Sequence, residues 1–482
     1  METKSTSFKI SVTTLAIMNV TAVVSLRGLA AESVYGLSSA FYYLFAAIVF
    51  LIPTALIAAE LAAMFSDKEG GVFRWIGEAF GARTGFVAIW LQWIQSTIWY
   101  PTVLTFGAVS IAFIGLNQQS DMALASNKLF TIIVVLAIYW TATFISLKGL
   151  NWVGKISKWG GIIGTIIPAA LLIIMGIIYL ASGGHNNMDM SAGFFPDLKK
   201  FDNLVLASSI FLFYAGMEMM GIHVMEVNNP TKNYPKAIII GSLITVSIFI
   251  LGTFSLGFII PAKEVSLTQS LLIGFDRYFE YLHISWAAPI IAIALMFGVL
   301  AGVLTWVSGP SKGIFSVGKA GYLPPVFQKS NSNGVQRNIL LIQGGIVTLL
   351  SLLFVVMPSV QSFYQILSQM TASLYLIMYM MLFAAAIVLR YRLKDKNRPF
   401  RLGGNMTMWI ISGLGFCGSL LAFILSFIPP AQISTGSPKT WVTILVVGCV
   451  VVLVIPLIIY AMRKPSWKNA DTEFAPFEWE KK

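Results

Sequence analysis

Two short stretches of this 482-residue chain set ionisable side chains among residues that otherwise suit lipid. In Val20–Gly36 they are Arg27 and Glu32, and in Phe211–Pro230 they are Glu218, His223 and Glu226, with the phenol of Tyr214 close by. A charge deep in hydrocarbon costs about 2.5–3.5 kcal/mol on insertion scales, so these groups are expected to face protein or water. The chemistry they offer is recognition and proton exchange: a guanidinium can hold a carboxylate bidentately, and a buried acid can take up a proton.

Spacing says how each group is held. Arg27 and Glu32 are five apart, not the three or four that place a pair on one helix face, so either the helix is interrupted between them or they serve different environments. Gly28 and Gly36 make interruption cheap. Tyr214 and Glu218 are one turn apart and share a face, while Gly216 and Gly221 bracket the carboxylate. Asn228-Asn229-Pro230 then ends the run. Two readings stand for this stretch: a buried Tyr-Glu-His packing network, or an unwound substrate site with backbone groups freed near Gly216–Gly221. Arg27 has two as well, a ligand contact or a fixed internal partner.

A third stretch, Phe297–Gly318, spaces Gly302, Trp306 and Gly309 by four and three, which gives one helix side that a neighbour can approach closely. Trp306 lies well inside the apolar run, where it either packs in protein or lines a substrate path.

The elements that must position these residues are membrane helices. Hydrophobic residues make up 57% of the chain against 11% charged, and runs of about twenty apolar residues recur with links too short for a soluble domain. We place twelve spans at about 10–34, 40–64, 84–116, 126–146, 158–182, 203–224, 238–261, 287–317, 338–358, 364–390, 407–428 and 440–461. The expected fold class is an all-α polytopic membrane protein, with the first span retained rather than cleaved as a leader. If both termini lie inside, 25 of the 32 Lys and Arg fall on the cytoplasmic side, which sets the expected orientation. The formal charge of +12 is thereby a topology signal and not a nucleic-acid footprint. No metal-ligand spacing and no glycine-rich phosphate loop is present, so no cofactor is implied. Cys417 and Cys449 read as packing residues.

Further motifs carry a resemblance. Ala58-Ala59-Glu60, Glu69-Gly70-Gly71-Val72-Phe73 with Trp75, Gly216-Met217-Glu218, and His223-Val224 followed by Glu226 and Asn229-Pro230 form one set. Tyr234-Pro235, Ala301-Gly302 with Trp306, Gly309 to Gly313, Leu323-Pro324, Asn333-Gly334-Val335, Pro399-Phe400 through Gly403-Gly404, and Phe427 to Pro430 form another. Together, over residues 10 to 462, they resemble the bacterial glutamate/γ-aminobutyrate antiporter family of the amino acid, polyamine and organocation superfamily.

The resemblance implies twelve transmembrane helices, the first ten as inverted five-helix repeats with helices 1 and 6 broken around the substrate. It implies exchange of amino acids across a bacterial inner membrane, with external L-glutamate against internal γ-aminobutyrate as the best pair, a part in acid resistance, and no enzymatic chemistry. It places substrate contacts at Ser25, Arg27, Gly28, Tyr214, Gly216, Glu218 and Trp306. Residues 1–9 are then a cytoplasmic N-terminus, 10–390 the ten-helix transport core, 391–461 helices 11 and 12 with their preceding link, and 462–482 a short cytoplasmic tail. Two departures stand out: acid-resistance members carry an aromatic residue where this chain has Arg27, and a longer C-terminal plug.

For gating or pH sensing, Glu32, Glu69, His223 and Glu226 are the candidates, because burial and neighbouring charge move their titration. A proton-coupled permease using Glu218 or Glu32 is the alternative within the class. A receptor lacks a signalling domain among these links, and a channel lacks a repeated pore pattern. The expected partners are small amino acids and membrane lipids, not nucleic acid, and the helices suffice as a monomer.

Overall fold

Backbone polar groups inside a bilayer have no water to bond, so an apolar chain of this kind satisfies them within helices. The computed structural model describes residues 9–190, 193–196, 209–353, 360–428, 438–468 and 474–481, and helices dominate throughout. The first stretch forms α1 (Val12–Val23) and the short α2 (Leu29–Ser33). Then come α3 (Ser38–Met64), α4 (Val72–Phe80), α5 (Ala82–Ala112), α6 (Lys128–Ser146) and α7 (Leu150–Ala181). After these follow α8 (Ser209–Phe213), α9 (Pro230–Ile259), α10 (Ser270–Tyr281), α11 (Ala288–Lys319) and α12 (Arg337–Leu352). The series closes with α13 (Val360–Arg392), α14 (Asn405–Ser426) and α15 (Pro438–Ala461).

The expectation of twelve spans in two inverted five-helix repeats is corrected by this architecture. Among the described residues nine helices are long and apolar enough to cross a membrane, counting Val12–Ser33 across its interruption, so the fold is all-α and polytopic without that topology. Three expected spans account for the difference. α5 is 31 residues long but carries the buried polar residues Gln92, Gln95, Ser96, Thr97, Thr102 and Thr105, which dilute its apolar character. α12 has 16 residues, short for a bilayer, and 354–359 lie outside the described residues. The 203–224 run begins outside the described residues and is mostly not α-helical beyond Phe213.

α11 runs along α5 and the first half of α7, and α13 packs on α5 and α14, so α5 and α11 stand at the centre. α1 sits between α9, α7 and α11. Close approach is set by small residues: a Cβ on Gly298 of α11 or Gly164 of α7 would lie within 2.4 Å of the other's backbone. On the same helix Gly302 faces the Thr21 carbonyl of α1 and Gly309 faces Met219, so the small-residue side of α11 meets both ionisable stretches. Ile10 pairs in parallel with Val227, joining the residues just before α1 to the end of the second stretch.

Glu60 of α3 supplies a second kind of tie. It is 2% exposed and accepts from Arg390 of α13 at 2.6 Å, from the Leu402 amide at 2.7 Å, and pairs with Arg398 at 3.4 Å. The densest basic link is thus anchored at two arginines to one buried carboxylate.

Candidate functional site

Regular helix stops at Val23, and Val24 and Ser25 are extended before a single 3-10 turn, Leu26–Gly28. In a continuous helix the Ala22 carbonyl would accept from residue 26. Freed by the break, it accepts instead from the Trp306 indole N–H at 2.8 Å. Arg27 is 4% exposed; its Nε donates to Ser25 Oγ at 3.1 Å and its Nη1 to the Thr102 carbonyl at 3.0 Å. Gly28 lies under the ring of Phe213, where any Cβ would collide.

The second stretch leaves α-helix after Phe213, passes through a turn over 214–218, and continues as a 3-10 segment, Met219–Glu226. The turn depends on Gly216, whose φ of +118° suits a residue without a side chain and whose Cβ position is blocked by Trp306. Its amide donates to Tyr379 Oη at 2.6 Å, and Tyr379 in turn donates to Glu218 Oε2 at 2.5 Å. Glu218 Oε1 accepts from Gln92 Nε2 at 2.8 Å and from the Tyr375 hydroxyl. The carboxylate is thus clamped by two tyrosines one turn apart on α13 and by a glutamine of α5.

Ser25, Arg27, Trp306 and Tyr375 line one buried cavity of about 30 Å³ with Gln95, Trp99, Phe213 and Thr371. That is water-sized, so an amino acid requires movement of the rings of Trp306, Trp99 or Phe213. Trp306 meets Trp99 at 5.5 Å and Tyr375 at 5.9 Å between ring centres.

Tyr214 stands apart. It packs on Tyr43 and Phe249, away from the partners of Glu218, because the turn at Gly216 removes the helical period that would align the two. Glu32 is also separate, fully buried beyond the break on α2. The other gating candidates are brought together: Glu69, His223 and Glu226 line a larger cavity of about 210 Å³. There Glu69 pairs with Lys319 at 3.1 Å, Glu226 pairs with Lys312, and His223 Nδ1 is 3.9 Å from Glu226 Oε2.

Gln92, Trp99, Tyr375 and Tyr379 belong to the centre but escaped sequence reading. The signals present were weak ones: Gln92 and Gln95 interrupting an apolar run, and Tyr375 and Tyr379 at a one-turn spacing.

An arrangement of interrupted helices around buried charge is that of a carrier. Comparison with known proteins decides its kind: the amino acid permease family model matches residues 10–454. The chain belongs to the amino acid permease family. It is an amino-acid transporter of the amino acid, polyamine and organocation superfamily and not an enzyme. This permease is 36% identical over 448 residues to an uncharacterized transporter of Legionella pneumophila, covering 93% of this chain and 95% of that protein. It is 33% identical over 430 residues to the glutamate/γ-aminobutyrate antiporter of Lactococcus lactis, covering 88% and 84%. A probable agmatine/putrescine antiporter of the same species is 25% identical over 396 residues, covering 81% and 82%. For this permease, the clamp on Glu218 and the Trp306 bond to Ala22 tie α5, α11 and α13 to its two interrupted segments.

Proposed function

We propose that this permease exchanges external L-glutamate for internal γ-aminobutyrate by alternating exposure of the centre between its two interrupted segments. One observation carries the reading: Arg27 of the first segment lines the same cavity as Tyr375, and Tyr375 holds Glu218 of the second. A zwitterion entering there has a guanidinium for its carboxylate, and freed backbone groups and a carboxylate for its ammonium. Ser25 and Trp306 line that cavity, and Gly28 and Gly216 lie against its wall residues Phe213 and Trp306. The name of the 33% identical relative from Lactococcus lactis supports the substrate pair. Glutamate loses one carboxyl group to become γ-aminobutyrate, and that decarboxylation takes up a proton, which is the basis for a role in acid resistance.

Residues 10–390 act as the transport core in this reading, 391–461 as a flanking pair of helices, and 462–482 as a tail. The distribution of Lys and Arg supports a bacterial inner membrane with both ends in the cytoplasm. A second reading, a proton-coupled amino-acid permease, is favoured by the neutral donors around Glu218, since its protonation breaks no ion pair.

Counterflow into proteoliposomes with purified protein and labelled amino acids separates the two. Glutamate uptake that depends on internal γ-aminobutyrate and persists with the proton gradient collapsed supports exchange. Uptake into empty vesicles driven by an imposed pH gradient supports the permease, and transport of neither amino acid removes the proposed pair.

A further inference from the structure

The larger cavity is separate from the centre yet built on the same two elements. His223 follows Glu218 by five residues along the 3-10 segment, and Lys312 follows Trp306 by six along α11. At about 2.0 Å and 1.5 Å of rise per residue, both steps carry the chain about 9–10 Å from the centre. The cavity's rim at Asn333 and Gly334 is exposed, whereas His223 at its inner wall is 2% exposed. It therefore lies between the buried centre and one face of the protein.

Its lining is that of a built polar site. Lys312 pairs with Glu226 and Lys319 with Glu69, and the two lysines stand two helical turns apart, about 10 Å, along α11. Both ring nitrogens of His223 and the Oε2 of Glu226 are buried without a hydrogen-bond partner among the described residues. An unmet donor and acceptor in a buried wall is costly, and a polar ligand meets it. With two cations, two anions and a neutral imidazole the lining carries no net charge, which disfavours a free cation or anion. It matches a molecule that is itself neutral overall and carries one charge of each sign.

Resting on the exchange reading above, we propose that this cavity is a second binding site, taking a net-neutral zwitterion of the ω-amino-acid class before it enters the centre or after it leaves. The carboxylate meets Lys312 or Lys319, and the ammonium meets Glu226 Oε2 with His223 beside it. An occupied second site keeps the exchange substrate at hand when the centre opens to that face.

The test is saturation binding of labelled γ-aminobutyrate to the purified full-length protein in lipid nanodiscs, with Ser308→Leu, His223→Gln and Arg27→Gln compared. Ser308 lines the cavity and touches neither ion pair, so leucine fills the space without unpairing a charge. The expected result is two γ-aminobutyrate molecules per wild-type chain, one per Ser308→Leu chain, and about fivefold weaker binding at the second site in His223→Gln. A wild-type stoichiometry of one, unchanged in Ser308→Leu and His223→Gln, overturns the second site and leaves the exchange reading intact. Two molecules bound with no effect of Ser308→Leu also overturns it. If neither γ-aminobutyrate nor glutamate binds wild type or any variant, the exchange reading falls with it.

Discussion

Gln92 of α5 donates to Glu218 at 2.8 Å across 126 residues of sequence, and Tyr375 and Tyr379 complete the clamp from α13. A buried carboxylate that accepts from three neutral donors holds three elements in one arrangement. Glu218→Gln preserves size but turns one acceptor oxygen into a donor facing other donors. Hydrogen bonds to a charged group are worth about 1.5–3 kcal/mol, so exchange should fall about tenfold or more while insertion is retained. Counterflow rates across pH 5–8 check this, and wild-type rates throughout that range would reject a charge-dependent role.

Arg27 is held by Ser25 Oγ and the Thr102 carbonyl beside the central cavity. Lysine keeps the charge but loses the planar fork, and glutamine loses the charge. For a carboxylate contact, Arg27→Gln should reduce glutamate transport more than transport of amino acids with a single carboxyl group, with Arg27→Lys between. Uptake of a labelled panel measures the preference; equal losses for every substrate would reduce Arg27 to a structural tie.

Glu60 offers a stability test away from the centre. With Arg390, Arg398 and the Leu402 amide all directed at it, Glu60→Gln leaves buried cations uncompensated. Removing one partner of a buried pair typically costs about 3–5 kcal/mol. Thermal unfolding in detergent should show a clear drop in midpoint, and an unchanged midpoint would mean that the link from Arg390 onward is held by other contacts.

Helical runs were readable because twenty apolar residues in series leave the backbone few alternatives in a bilayer. The second interruption was signalled where glycine and an ionisable residue coincide, at Gly216, whereas the first falls at Val24 and Ser25, ahead of Arg27 and Gly28 rather than between Arg27 and Glu32. Face arithmetic then failed at Tyr214, since a 3.6-residue period has no meaning across a turn with φ of +118° at Gly216. The partners of Glu218 lie 126, 157 and 161 residues away and those of Glu60 more than 300, so no local pattern reports them. Counting spans by apolar length also misjudged α5, where polar residues serve the centre.

The described residues 474–481 of the C-terminal tail dock on α4. Trp479 donates to the Gly77 carbonyl at 3.0 Å, the Glu478 amide donates to Glu78 at 2.8 Å, and Arg74 lies over the rings of Phe474 and Phe477. The Lys68 hydrogen bond, joined by Lys481 and Lys396, holds the Glu478 carboxyl down to about 2. A depressed carboxylate contributes stability above its ordinary value near 4.5 and loses it as pH falls through about 2. Glu78 moves the other way: burial raises it against the pull of Arg74 and Lys68, so acid favours its folded state. Both signs keep the tail docked between pH 7.5 and pH 5. Hydrogen exchange of the 474–481 peptide, corrected for intrinsic rate, should show similar protection at the two values, and Trp479→Ala should reduce it at both. Release at pH 5 in the wild type would make the tail a pH-operated gate.

Asp276 of α10 gives the clearest titration near neutrality. Burial, with Asp121 and Glu280 adding like charge, raises its carboxyl to about 7. The folded state then holds a proton that the unfolded chain releases near pH 4, so stability is greatest at low pH, declines as pH rises from about 4 to about 7, and levels off above that. Asp276→Asn keeps the shape without the ionisation. The variant should match the wild type at pH 4.5 and melt about 2–4 °C higher at pH 8. Thermal scans from pH 4.5 to 8 give both slopes, and a variant slope as steep as that of the wild type would assign the decline to a different group.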